Sequence, residues 1–295
     1  MAAIPAMYTY RHRRPSRRAA RLIGIYAALA LALLLYLGPF VIQVATSFKT
    51  NPDAANNPLS LIPDPPTLDA WRTALGQNPA IDVPLSRWLT NSFIVTVGIT
   101  LGRAAIDSLA GYALARLRFP GRRAVFAGLL AVLAVPNIVL LIPRFLVLTR
   151  LDLFNTYAGM ILPLLCDAVG ILLMRTAFMA VPYELEEAAR VDGAGPLRRF
   201  FSVVLPLTWP ALVTVIILSF QGSWNEFTHF LVATSDPNLA TLNLGIARLT
   251  AGDLRGPSEF PLKLALATLS TIPIAIVYIF FSRYFTRSAA TAGLK

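Results

Sequence analysis

LIGIYAALALALLLYLGPFVIQVATSF, residues 22–48, carries no charged side chain. As a helix rising about 1.5 Å per residue, it is longer than the ~30 Å hydrocarbon core of a bilayer. The basic cluster Arg11, Arg13, Arg14, Arg17, Arg18 and Arg21 stands in front of it. That order resembles a secretory leader, whose apolar region is only about 7–15 residues. A run this long therefore reads as an uncleaved first transmembrane helix. Working outward, five more apolar spans follow at about 88–114, 124–147, 157–174, 205–224 and 264–282. The whole chain of 295 residues agrees, with 56% hydrophobic and only 14% charged residues, against about 25% charged in a soluble domain. A soluble enzyme, a disordered scaffold and a disulfide-rich secreted module are excluded. The expected fold class is an all-α membrane protein with six transmembrane helices.

Six spans put both termini on one side, and charge selects the side. With the N-terminus inside, segments 1–21, 115–123, 175–204 and 283–295 hold seventeen basic residues, against eight outside. Basic residues are retained in the cytoplasm, so both termini are expected there. The net charge of +11 is thereby explained by residues flanking spans, with no nucleic-acid partner implied. The expected division is a basic cytoplasmic tail at 1–21, a six-span domain at 22–285 and a C-terminal tail at 286–295. Cys166, the single cysteine, cannot form an internal disulfide and reads as a small buried hydrophobe within an apolar run. The outer loop 49–87 is too rich in Pro, Asn and Asp for a continuous helix. Prolines inside spans, at Pro39, Pro136, Pro143, Pro163, Pro210 and Pro273, read as kinks or as hinges.

PYELEEAARVDGAGPLRRFFSVVLP, residues 182–206, lies between spans 4 and 5. Pro182 suits a helix start, and Glu184, Glu186 and Glu187 sit at the positive end of the helix dipole. Ala188 and Ala189 permit close approach, and Gly193 with Gly195-Pro196 ends the helix. The expectation is a short amphipathic cytoplasmic helix made for contact with a partner. Three glutamates are a poor match to an anionic lipid surface. Glu187-Ala188-Ala189, followed by Gly193 and then Val203-x-Leu205-Pro206, resembles the EAA signature of ABC importer permeases. ALARLRFPGRR (113–123), LDLFNTYAGMILP (151–163), WNEF (224–227) and LIPDPPTLDAW (61–71) resemble the carbohydrate-uptake class of that family, of the maltose-transporter type.

The resemblance implies a coupling helix that docks on a separate ATPase through Glu187, Ala188, Ala189, Asp192, Gly193, Leu205 and Pro206. It further implies a homologous second permease, two ABC ATPase subunits carrying ATP and magnesium, and an extracytoplasmic solute-binding protein or lipoprotein. The outer loop 238–262 would reach into that binding protein. The site of action would be the bacterial plasma membrane, in contact with its lipid. No GxxxxGK[ST] or HExxH motif occurs, so no catalytic residue, bound cofactor or metal is expected on this chain, and it reads as a transport subunit rather than an enzyme.

Ionisable groups within spans cost about 2.5–3.5 kcal/mol at a helix centre on insertion scales. Arg103 and Asp107, spaced i, i+4, read as a structural pair or as a polar wall of the path. Asp167 either faces that path or neutralises an arginine from another helix. Trp224, Asn225 and Glu226 read as an interfacial belt, or as a sugar-contacting group with the indole stacked on a pyranose. The expected cargo is a di- or oligosaccharide or a glycoside, with glycerol-3-phosphate or a glycerophosphodiester as the alternative, for which basic groups along the path would be needed. An ion-driven secondary transporter is the alternative from another class; it would be built from repeated halves with discontinuous helices.

Overall fold

The computed structural model describes residues 17–78, 81–251 and 260–292, with side chains described only inside 21–249 and 260–281. Most of the N-terminal basic tail, the tip of the last outer loop and residues 293–295 lie outside the described residues. Among the described residues all regular structure is helical and no strand occurs.

Three helices contain segments long and apolar enough to cross a membrane: Arg21–Thr46, Leu85–Arg116 and Phe260–Phe281. The first lies within Arg17–Thr46, whose Ala- and Leu-rich sequence has high intrinsic helix propensity. Its side chains point outward, with Leu34 71% exposed, as expected of a helix that is apolar all round and meets lipid or a partner instead of water. Pro39 is accommodated without a break. Near its C-terminus Gln43 donates to Thr268 Oγ1 at 3.2 Å, tying it to the Phe260–Ala292 helix.

The remaining apolar stretches are broken. Arg122–Leu133 meets Asn137–Arg150 at 99°, Tyr157–Leu164 meets Ala168–Met179 at 45°, and Pro196–Leu207 meets Trp209–Asn225 at 84°. If each bent pair counts as one, up to six spans are present. Proline chemistry accounts for two of the breaks. Pro136 disfavours α geometry at Val135, and the helix before it ends at Leu133. Pro206 and Pro210 flank the third break at Thr208, and the backbone from Phe200 to Val204 adopts the wide π form just ahead of it. Thr208 Oγ1 and N–H both bond the Val204 carbonyl, supplying partners near a proline that has no N–H to give. Of the two readings of the span prolines, Pro39 and Pro273 remain within long helices, whereas Pro136 and Pro206 mark sharp corners.

Leu85–Arg116 is the central strut, about 48 Å long at 1.5 Å per residue. It packs chiefly against Ala168–Met179 and Trp209–Asn225, and the latter against Phe260–Ala292. Small residues make the first crossing possible. A Cβ on Gly111 would lie 2.9 Å from both Arg175 N and Met174 Cβ. Two buried clusters result. One gathers around Trp88, Ile99, Met160, Phe230 and Leu244. The other gathers around Tyr112, Met174, Phe178, Phe200 and Leu212, beside the 182–206 segment.

The loops hold more structure than their composition suggests. Within 49–87, Thr50 caps the short helix Asn51–Asn56, and a second short helix covers Asp69–Ala74. Buried Lys49 donates to the Asn57 carbonyl at 2.6 Å. Within 238–262, Leu242–Ala251 is helical, and Leu242, Leu244 and Leu249 are buried in the core. That corrects the expectation of one long outward-reaching loop, because alternate turns of this segment bury leucines against Trp88 and its neighbours. Residues 252–259 of this segment lie outside the described residues.

Candidate functional sites: an exposed helix and a charged cavity

The 182–206 segment folds as its local chemistry directs. A helix runs over Tyr183–Val191 with Glu184 and Glu186 in its first turn. It ends where Gly193 takes φ +77°. The Gly193 N–H then reaches the Arg190 carbonyl at 3.0 Å, and Ala194 N–H the Ala189 carbonyl at 2.9 Å. This left-handed step is open to glycine and costly to residues with a Cβ. Glu187, Ala188, Asp192 and Gly193 are exposed and Ala189 is half-buried. Leu205 is half-buried and Pro206 exposed at the far end of the motif. Val191, 88% exposed, adds a bare apolar side chain to this surface.

Glu186 behaves differently from its neighbours. It is 1% exposed, and its carboxylate meets Arg116 at 3.0 Å and Tyr112 Oη at 3.1 Å. Sequence reasoning treated the three glutamates alike. The signal was present in the spacing: Glu184 and Glu187 share a helix face at i, i+3, which puts Glu186 on another.

The second site is a cavity of about 470 Å³ at the breaks of the third and fourth apolar stretches. Arg103, Asn137, Arg144, Asp167, Glu226 and Thr228 supply its polar lining. Arg103 and Asp107 make no ion pair with each other, which corrects the i, i+4 reading. Each reaches across to the Tyr157–Met179 region instead. Arg103 Nε donates to the Leu164 carbonyl at 2.6 Å. Asp107, fully buried, accepts from Asp167 N–H at 3.0 Å. Helix crossing explains this: the broken fourth stretch presents free backbone groups at 164–167, and these are better partners than a side chain one turn away.

Asp167 is the N-cap of Ala168–Met179, accepting from Gly170 N–H at 3.2 Å. It joins the cavity wall without an arginine ion pair. Glu226 Oε1 accepts from His229 N–H at 2.7 Å. Both carboxylates are therefore already engaged by backbone N–H groups. Arg144, half-buried in the cavity wall, was counted only among the basic residues outside and was not singled out as a site residue. Cys166 is also in the wall and exposed, correcting its assignment to a buried position, because the helix is interrupted at 165–167.

Trp224 stands apart. It is 5% exposed, donates from Nε1 to the Ser270 carbonyl at 2.9 Å, and stacks on Phe220 with ring centroids 6.0 Å apart. Its indole is committed to the core rather than offered to a pyranose. Asn225 is exposed outside the cavity wall. Among the described residues, no group of three His, Cys, Asp or Glu side chains could hold a metal ion.

An all-helical bundle with broken apolar helices, an exposed alanine-containing helix and a polar cavity at the breaks defines a membrane transport subunit. The family described as the binding-protein-dependent transport system inner membrane component matches residues 107–291, and the chain belongs to it. Similar proteins include the sn-glycerol-3-phosphate transport system permease protein UgpE of Pectobacterium atrosepticum, 33% identical over 267 residues, covering 89% of this chain and 93% of the relative. UgpE of Brucella abortus is 30% identical over 274 residues, covering 92% and 96%. Among solved structures, a chain of a bacterial ABC transporter involved in the import of the acidic polysaccharide alginate matches with TM-score 0.77. It is 25% identical, and the match covers 92% of this chain and 99% of that one. The alginate transporter in complex with its pentasaccharide-bound periplasmic protein matches with TM-score 0.63 at 14% identity.

The chain is thus a permease subunit of an ABC importer, and ATP hydrolysis belongs to a separate subunit. Membership of a binding-protein-dependent family supports a binding-protein partner.

Proposed function

We propose that this subunit helps import a small anionic polyol phosphate, with sn-glycerol-3-phosphate as the representative cargo. The carrying observation is the pair of guanidinium groups in the cavity wall. Asp167 and Glu226 each accept one backbone N–H and keep their charge, and neither pairs with an arginine among the described residues. Among the described residues, Arg103 is bonded through Nε alone, and Arg144 makes no ion pair or hydrogen bond. Guanidinium forks open to a cavity suit phosphate or carboxylate, which accept two parallel N–H bonds. Both sets of relatives carry names of anionic cargo, a glycerol phosphate and an acidic polysaccharide. The latter supports a second reading, an acidic saccharide.

In the proposed assembly the chain pairs with a homologous permease in the bacterial plasma membrane. Its bent pairs serve as spans, and both termini face the cytoplasm, where the basic segments lie. Two ATPase subunits bind ATP and magnesium and receive the Tyr183–Val191 helix, with Glu187, Ala188, Ala189, Asp192 and Gly193 facing them. A solute-binding protein delivers cargo from outside. Closure of the ATPase dimer moves the exposed helix, the bundle opens outward, cargo enters the cavity, and hydrolysis resets the cycle.

The test is ATP hydrolysis by the assembled complex in lipid, with binding protein loaded from a panel of sn-glycerol-3-phosphate, a glycerophosphodiester, an alginate oligosaccharide and maltose. Stimulation by the glycerol phosphate is expected. Stimulation by the acidic saccharide alone transfers the assignment to the second reading. Stimulation by maltose alone overturns the anionic reading.

A further inference from the structure

Two charged residues of the 182–206 segment are buried, Glu186 at 1% and Arg199 at 8% exposure, and it is Glu186 that lies on the exposed helix itself. A carboxylate removed from water costs several kcal/mol unless paired and hydrogen-bonded, and it sits on an element whose other glutamates are solvent-exposed. Its partner is Arg116, the last residue of the Leu85–Arg116 helix, where a cation also complements the negative end of the dipole. The two side chains are 8% and 2% exposed, with Nε and Oε1 3.0 Å apart. This contact is an ion pair rather than an aligned hydrogen bond. Glu186 Oε2 accepts the Tyr112 hydroxyl, one turn earlier on the same long helix. Arg116 Nη2 meanwhile donates to the carbonyls of Phe178 and Val181, at the end of Ala168–Met179 and in the linker that follows.

One guanidinium therefore joins three elements that are separate in sequence. The Tyr112 ring extends the junction to a fourth, packing 5.9 Å from Phe178 and 5.2 Å from Phe200, the first residue of the π segment. Arg122 stiffens the corner from the other side, donating to the carbonyls of Ala115 and Leu117 at 3.2 Å each. The Leu85–Arg116 helix then runs without a break to the cavity, since Arg103 lies thirteen residues, about 20 Å, from Arg116.

We propose that the buried Arg116–Glu186 pair, oriented by Tyr112, is the positioning link that transmits displacement of the Tyr183–Val191 helix to the Leu85–Arg116 helix, and hence to the cavity wall. Chain connectivity alone carries motion only into the flanking helices, through a left-handed glycine on one side and a three-residue linker on the other. The ion pair gives the helix a direct hold on the central strut. The hydrogen bonds from Tyr112 to Glu186 and from Arg116 to the Phe178 and Val181 carbonyls orient the two members of the pair, which an apolar contact of the same size would not do.

The inference rests on the Tyr183–Val191 helix being the element that meets the ATPase. If it is not, loaded binding protein leaves hydrolysis by the wild-type complex unchanged, which is seen before any variant is compared. The test measures cargo molecules moved per ATP hydrolysed in the reconstituted full complex. Glu186→Gln keeps the shape and removes the charge, and Arg116→Lys keeps the charge and removes the fork. Each is expected to lower the ratio about tenfold, on the scale of one charged hydrogen bond. A paired Arg116→Met, Glu186→Leu variant separates folding from coupling, because replacing both members of a buried pair with apolar residues is often neutral for stability. A stable but poorly coupled paired variant supports the link. A wild-type ratio in the paired variant, or losses of transport and hydrolysis that only follow the amount of assembled complex, overturns it.

Discussion

Individual residues here are committed by their partners more than by their type. Among the described residues Arg144 has no hydrogen bond or ion pair, and it stands in the wall where the proposed anionic cargo would meet its charge. Arg144→Gln is expected to reduce transport of an anionic substrate about tenfold at saturating loaded binding protein, with Arg144→Lys intermediate, since a charged hydrogen bond contributes about 1.5–3 kcal/mol. Uptake measured in vesicles checks this, and equal rates for all three chains contradict it. His229 illustrates the opposite case. It is fully buried, with Nε2 set 3.1 Å from the Gly159 carbonyl and Nδ1 unpartnered. Burial lowers its pKa below the ordinary value of 6.5, with Arg144 adding to the effect against the Gly159 and Glu226 interactions. The unfolded chain therefore binds the proton more readily, and the stabilising contribution of neutral His229 is complete above about pH 6.5 and lost as pH falls below it. Thermal unfolding of the detergent-solubilised complex from pH 7.5 to 5.5 should show a falling midpoint that His229→Gln flattens.

At the scale of elements, the Tyr183–Val191 helix was legible almost to its ends, because Pro182, the early glutamates and Gly193 are all local signals. Its termination carries a ranked expectation. At φ +77° an L side chain costs about 1–2 kcal/mol, less for asparagine. Coupled transport should therefore fall in the order glycine, asparagine, alanine, valine at position 193, read as maximal rate per assembled complex. A valine variant as active as wild type would show that the left-handed step is dispensable. The breaks were less legible. Prolines announced that the apolar runs could bend, but propensity and hydropathy do not say by how much. The 99° and 84° corners depend on which carbonyls find new partners, as Val204 does with Thr208. That is a property of packing, not of the run itself. The 238–262 segment was misjudged for a related reason: its glycine and polar residues look loop-like, yet Leu242, Leu244 and Leu249 find a core to enter.

For the whole molecule, composition and the long uncharged apolar runs disclosed an all-helical membrane class, and the EAA-like pattern disclosed the family. The cavity was legible only in pieces. Asp167, Glu226 and Arg103 were singled out and do meet in it, whereas Arg144 had been counted as a loop charge and Trp224 as a candidate contact. The difference is one of distance along the chain. Signals confined to one turn of helix survive in a linear reading, and those made by bringing residues 103, 144, 167 and 226 together do not. The same holds for the Arg116–Glu186 pair, seventy positions apart.

The position of the lone thiol has a practical consequence. Cys166 stands exposed in the cavity wall at a helix interruption, and the sequence contains no second cysteine. The subunit thus carries one natural chemical reporter in the wall of the cavity proposed as the cargo route. In sealed vesicles a membrane-impermeant maleimide should alkylate Cys166 from one face in the resting complex and from the opposite face when ATP hydrolysis is trapped. The ratio of the two rates would then read the direction in which the gate stands open, without engineering any residue of this chain. Equal labelling in both states would place Cys166 off the route that the cargo travels.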